Sequence, residues 1–109
     1  FFEKAELARQ VSDWPRVVEL ADQALSNNYP MTEANALEWI PYIEGYARSA
    51  RWEAAEQWSL AVYQAHPKMR RMLCSLWDRV ESATPASSAR DQLLEQMNTM
   101  LACAASDED

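Results

Sequence analysis

One histidine, two cysteines and 17 carboxylates are the material from which this 109-residue chain could build a reactive site. His66 precedes Pro67, and the positions three and four residues before it hold Tyr63 and Val62 rather than carboxylates. A helical di-metal site needs a carboxylate and a histidine one turn apart on a single face, and a histidine-assisted nucleophile needs a partner to orient the ring. The first arrangement is absent from the sequence and the second is not expected, so His66 is read as a helix-end residue near terminal carbonyls. Ser87 and Ser88 precede a run of helix formers, with Asp91 three residues after Ser88, which reads as alternative capping chemistry and not as a nucleophile. The expectation is a non-enzyme with no metal ligands and no cofactor.

Two cysteines are too few for a disulfide framework in a domain of this length. If the last two helices form a hairpin turning near Pro85, the residue opposite Cys74 falls near Leu94. Cys103 then lies two helical turns (~13 Å) further on. Both thiols are therefore expected to be reduced, as in a cytoplasmic protein. The formal charge of -7 and isoelectric point near 4.6 exclude a nucleic-acid or anionic-membrane binder, because phosphate surfaces demand a concentration of Lys and Arg. Lys68, Arg70 and Arg71 are the one basic cluster. They read as a solvated helix start, with half of an acidic-partner site as the alternative.

Positioning such residues falls to helices. A single glycine leaves little material for hairpins or phosphate loops, and 49% hydrophobic content gives one domain a core, with the five tryptophans as its packing anchors. Helical spacing predicts a first helix over 1–11, with Phe1, Ala5 and Ala8 on one face. A second is capped by Asp13, with Pro15 in its first turn, and carries Val17, Val18, Leu20, Ala21, Ala24 and Leu25 until Asn27-Asn28-Tyr29-Pro30 ends it. Thr32 opens a third helix to about Ser49, in which Pro41 imposes a kink or a delayed start. The fourth, from Trp52 to about His66, is apolar around most of its girth and is expected to be the central helix. A fifth runs from Met69 to about Ser82 with Met72, Leu73, Leu76, Trp77 and Val80 inward. Thr84-Pro85 is read as the cap of a sixth, striped by Ala89, Leu93, Leu94, Met97, Met100 and Leu101. The acidic residues 104–109 read as a disordered tail, because negative charge at a helix C-terminus opposes the macrodipole.

Two stretches repeat one helix-turn-helix pattern, the clearer one running through Trp39, Tyr42, Ile43, Tyr46, Trp52, Ala55, Val62 and Pro67. This spacing resembles the tetratricopeptide repeat, a tryptophan, leucine-glycine, tyrosine, alanine, aromatic, alanine and proline pattern of about 34 residues. Trp39, Tyr46, Trp52, Ala55 and Pro67 fall on matching positions. The preceding copy places Ala8, Trp14, Val17, Ala21 and Ala24 in those roles, and the following one Leu73, Leu76, Val80, Ala86, Ala89 and Leu93. Ile43 replaces the glycine, Tyr42 the leucine, Ser59 the aromatic and Val62 an alanine, and an insertion falls around Asn27 to Met31.

The resemblance implies an all-α fold of three antiparallel helical hairpins (about 1–28, 32–66 and 69–103) stacked as a short right-handed superhelix. Its concave face would be lined by the first helix of each hairpin. Carried over by position, that face holds Phe2, Glu6, Arg9 and Gln10, then Ile40, Glu44 and Arg48, then Arg71, Cys74, Asp78 and Glu81. Such a groove implies a partner protein or peptide, held against mixed charge around an apolar anchor. The family's Lys/Asn clamp for acidic C-terminal peptides is not expected, since Phe2 and Glu6 stand at its positions. Glu44 and Arg48 are four apart, and Glu6 and Arg9 three apart, so each pair also reads as ordinary support for its own helix.

Two functions compete on these grounds. One is a non-catalytic interaction module. The other is a structural C-terminal domain of a larger, membrane-anchored protein, suggested by the opening Phe1-Phe2 without a methionine and by the acidic ending. No apolar run reaches the ~20 residues of a membrane span, so direct insertion of this stretch is not expected. Phe1, Phe2 and Met31 are candidates for an exposed apolar patch, and the oligomeric state is open.

Overall fold

Helix ends in this chain are set by local chemistry that the structure, a computed structural model, displays residue by residue. It describes residues 2–26 and 33–103, apart from the side chains at 2, 3, 5, 6, 26 and 33–35. The expectations for Phe1, Asn27 to Met31, the Thr32 cap and the acidic tail fall outside the described residues, as do those for the side chains of Phe2, Ala5 and Glu6. Six α-helices follow in order: α1 (Phe2–Gln10), α2 (Trp14–Ser26), α3 (Ile40–Arg48), α4 (Trp52–Ala65), α5 (Arg70–Ala83) and α6 (Ser88–Leu101). Short 3-10 turns at Glu33–Trp39 and Pro67–Met69 lead into α3 and α5. There is no strand among the described residues.

Asp13 caps α2 by accepting a hydrogen bond from the Arg16 amide at 3.3 Å, as its side chain and position predict. Pro41 delays the third helix: the chain stays in a 3-10 turn through Trp39 and becomes α-helical at Ile40, so the proline sits in the first turn, where its missing donor is not needed. At α6 the structure chooses between the caps the sequence offers. Ser87, not Thr84, is the N-cap, accepting from the Arg90 amide at 3.1 Å, while the Thr84 hydroxyl donates back to the Val80 carbonyl at 2.7 Å and closes α5. Without glycines to spare, the chain turns after α1, α3 and α6 with Ser12, Ala50 and Ala102 in the left-handed region, at φ 59°, 60° and 52°.

The central helix is α3, not α4. Every residue from Ile40 to Ala47 is buried, whereas α4 fully buries only Ala55, Ser59 and Val62. The cause is neighbours: α3 packs against α1, α2, α4 and α5, and α4 leaves one side to solvent. The chain's lone glycine permits a close approach between two of them. A Cβ on Gly45 would lie 2.4 Å from Val17 Cγ1, so the Val17 side chain of α2 packs directly on the bare α-carbon of α3.

Trp39 and Trp77 are fully buried anchors, and Trp14, Trp52 and Trp58 pack half-buried against the core. The Trp39 ring stacks on Trp58 at 4.7 Å and meets the Tyr42 ring edge-on at 5.2 Å. Ser59 stands where an aromatic was expected because its hydroxyl accepts the buried Trp77 indole N–H at 3.1 Å. Met72 and Ala89, assigned inward from sequence, face solvent.

The thiols are joined. Cys74 and Cys103 form a disulfide with their Cα atoms 5.6 Å apart, which overturns the expectation of two reduced, separate cysteines. The sequence estimate carried α6 straight on past Leu101, but the left-handed Ala102 reverses the chain and returns residue 103 to α5. That removes the support separate thiols gave to a cytosolic setting. Arginines lock both ends of this helix pair. Arg70 on α5 donates to the Leu101 and Ala102 carbonyls at 3.4 and 3.3 Å, and buried Arg90 on α6 donates to the Glu81 and Thr84 carbonyls at 3.1 and 2.6 Å. A cation at a helix C-terminus satisfies bare carbonyls and the macrodipole together.

Candidate interaction face

Because α3 lies between α1 and α5, one side of it brings residues from all three helices to a common point. That point is Glu44, whose side chain is 1% exposed. A carboxylate removed from water needs charged or hydrogen-bonding partners, and three arginines supply them. Arg48, one turn along α3, donates at 3.1 Å. Arg79 of α5 approaches side-on, its Nη2 3.1 Å from Oε1 and its Nε 3.5 Å from Oε2. Arg9 of α1 stands 3.9 Å away. The arginines stay partly hydrated, with 21% of Arg48, 30% of Arg9 and 44% of Arg79 exposed, and the Arg48 guanidinium lies over the Trp14 ring at 4.6 Å. Arg48 and Arg79 alone outnumber the carboxylate they share, which makes a cationic spot on a chain of net charge -7.

Of the residues placed on this face by sequence, Arg9, Glu44 and Arg48 come together. Gln10, Arg71 and Asp78 are exposed, while Ile40 is buried at its edge. Phe2 and Glu6 belong to α1, their side chains outside those described. Cys74 is buried and tied to Cys103, and Glu81 lines a different cleft beside α6. Glu44 itself is enclosed, so what it offers a visitor is the placement of arginines and not its own charge.

Arg79 was missed. The family register chose Arg71, Cys74, Asp78 and Glu81 as the inward set of α5; Arg71 does border α3, but Cys74 turns to Cys103, and the edge beside α3 continues from Arg71 through Ser75 to Arg79. Their spacing of four was the available signal.

Beside the hub, Ile40, Arg71, Met72, Ser75 and Arg79 line a cleft of about 320 Å³ between α3 and α5. A larger cleft of about 800 Å³ along α6 includes Glu81, Asp91, Glu95 and Asn98, but its one arginine, Arg90, is committed to two carbonyls and to Asp91. Among the described residues it therefore presents no uncommitted cation. On the opposite edge of α3, the Tyr46 hydroxyl donates to Asp22 at 2.7 Å, and Arg51 pairs with Asp22 at 3.1 Å while lying over the Tyr46 ring. Burial, reinforced by the Asp22 hydrogen bond, pushes the phenol well above its ordinary value. This joint ties α2, α3 and the start of α4, and its groups are mutually satisfied.

His66 sits at the end of α4, its amide donating to the Val62 carbonyl at 2.8 Å. No group of three or more His, Cys, Asp or Glu side chains is placed to hold a metal ion among the described residues, and no helix there is long and apolar enough to cross a membrane. The chain matches no family model, no curated protein and no solved structure.

Proposed function

We propose that this chain is a non-catalytic interaction module that binds a partner peptide or helix on the face made by α1, α3 and α5. In this reading the six helices work as three stacked hairpins of tetratricopeptide-like design. The neighbour pattern supports it: first helices lie beside first helices (α1 by α3, α3 by α5), and second helices of adjacent hairpins touch (α4 by α6). The observation that carries the proposal is the convergence on Glu44, which holds partly exposed arginines from three helices on one surface with no reactive group among them. Fixed, partly solvated charges beside an apolar cleft suit recognition of a side chain from another molecule.

The test is capture of a random peptide library by the immobilised chain, compared with the triple variant Glu44→Ala, Arg48→Ala and Arg71→Ala at matched helicity. Loss of the captured peptides in a folded triple variant is the expected result. Retention of the same set would remove the face from consideration.

A packing domain within a larger protein is the second reading. Leu7 and Val11, one turn apart at α1 and its end, are 63% and 75% exposed, an apolar pair that suits contact with further sequence. The disulfide fits either reading in an oxidising compartment better than in the cytosol.

A further inference from the structure

We propose that the α3–α5 cleft recognises an acidic side chain flanked by a large apolar one, with Arg79 as the reading residue. This rests on the interaction-module reading and names the chemistry of the partner.

A guanidinium carries five donors in a planar fork. Arg79 commits its Nε and Nη2 edge to buried Glu44, and its Nη1 group finds no acceptor among the described residues. The side chain is 44% exposed and lines the cleft, so that uncommitted edge is what it can offer a visitor. An arginine on a mobile stem loses rotamer freedom when it binds, whereas one already clamped by an internal carboxylate has lost much of it on folding. Arg79 is thus a pre-set donor pair beside a hydrophobic wall. Ile40 supplies the wall's floor, and Met72, 45% exposed on a charged helix, supplies an adaptable rim. A volume of about 320 Å³ lies near the lower limit of ligand pockets (~300–1,000 Å³), enough for one or two side chains and not for a bulky cofactor.

Charge selects the occupant. Among the described residues the cleft has no carboxylate lining, and the outer edge of Arg79 opens beside it, so a basic side chain meets repulsion from Arg79 there. A carboxylate suits the single free edge of one fork. A phosphorylated side chain brings nearly two negative charges and is ordinarily met by several uncommitted arginines, and the chain's overall charge of -7 opposes it more strongly. These residues are distinct from the Lys and Asn positions of the family's C-terminal peptide clamp, and the recognised group is an internal side chain.

The full chain, disulfide intact, is to be tested on an array of synthetic dodecapeptides. Their central pair combines Asp, Glu, Asn, Gln, phosphoserine or Lys with Leu, Met, Phe or Ser. Preferential retention of Asp or Glu beside Leu, Met or Phe is expected. Arg79→Gln should weaken it about tenfold with helicity unchanged, and Arg79→Lys should fall between because it keeps charge but not the fork. Retention of peptides without an acidic preference, preference for phosphoserine, or an unchanged pattern in Arg79→Gln would overturn this inference and leave the interaction-module reading standing. Retention of no peptide would overturn both.

Discussion

Replacing Glu44 with glutamine removes one negative charge from beneath three arginines without changing side-chain size. Removing one member of a fully buried ion pair costs about 3–5 kcal/mol, because the other charge is left unpaired in a low dielectric. Here the carboxylate is buried but its partners are 21%, 30% and 44% exposed, so water recovers part of their solvation once the pairing is lost. Glutamine's carbonyl oxygen also still accepts from one guanidinium. Discounting for both, the expected loss is about 2 kcal/mol, and for a domain of this size a fall in Tm of about 8 °C. Thermal and urea unfolding followed by far-UV circular dichroism measure it. A double-mutant cycle with Arg79→Gln should return a coupling of about 1 kcal/mol, since the two residues share one contact across helices. A loss below about 0.5 kcal/mol with no coupling would mean that Glu44 is no more than an i,i+4 partner of Arg48, and the argument for a hub joining α1, α3 and α5 would fail.

Opening the Cys74–Cys103 disulfide, whose partners are 29 residues apart, should destabilise the chain by about 3.5 kcal/mol on loop entropy, seen as a lower Tm in a phosphine reductant. Two free thiols in the native, unreduced protein would contradict the linkage. Gly45→Ala forces a Cβ against Val17 and should cost about 1–2 kcal/mol despite alanine's better helix propensity, and Val17→Ala in the same chain should recover part of it. Ala50→Gly relieves a left-handed residue and should stabilise by about 0.5 kcal/mol in urea titration. The raised Tyr46 value sets the sign of an alkaline effect. The folded chain keeps this proton while the unfolded chain releases it near the ordinary value of 10, so urea-measured stability should fall above pH 10, and less steeply in Tyr46→Phe.

Local chemistry was legible in the sequence, and contacts between distant residues much less so. Asp13 as a cap, Pro41 as a delayed start and the buried face of Val17, Leu20, Ala21 and Ala24 depend on residues within a turn or two, and all stand as read. The burial of Glu44 depends on α1 and α5 arriving on either side of α3, which no local spacing specifies. Arg79 was missed because the family register was followed at Cys74 and Asp78, although Leu73, Leu76, Trp77 and Val80 were correctly read as the buried face of α5, and Cys74 is instead engaged by residue 103. That contact in turn depends on a left-handed alanine, whose sequence gives no sign of it. Gly45 carried a signal that went unused: the only glycine of a helical chain, placed mid-helix where it lowers propensity, marks a close approach.

The account turns on a fixed Arg79 edge beside an apolar cleft meeting the carboxylate of another molecule. NMR titration of the labelled chain with an array-selected acidic peptide, reading the Arg79 Nε–H and the methyl groups of Ile40 and Met72, tests this most directly. We expect those signals to shift together and saturably, with the amides of Asn98 and Thr99 in the α6 cleft unmoved. Shifts confined to the α6 cleft, with Arg79 and Ile40 unchanged at saturation, would contradict it.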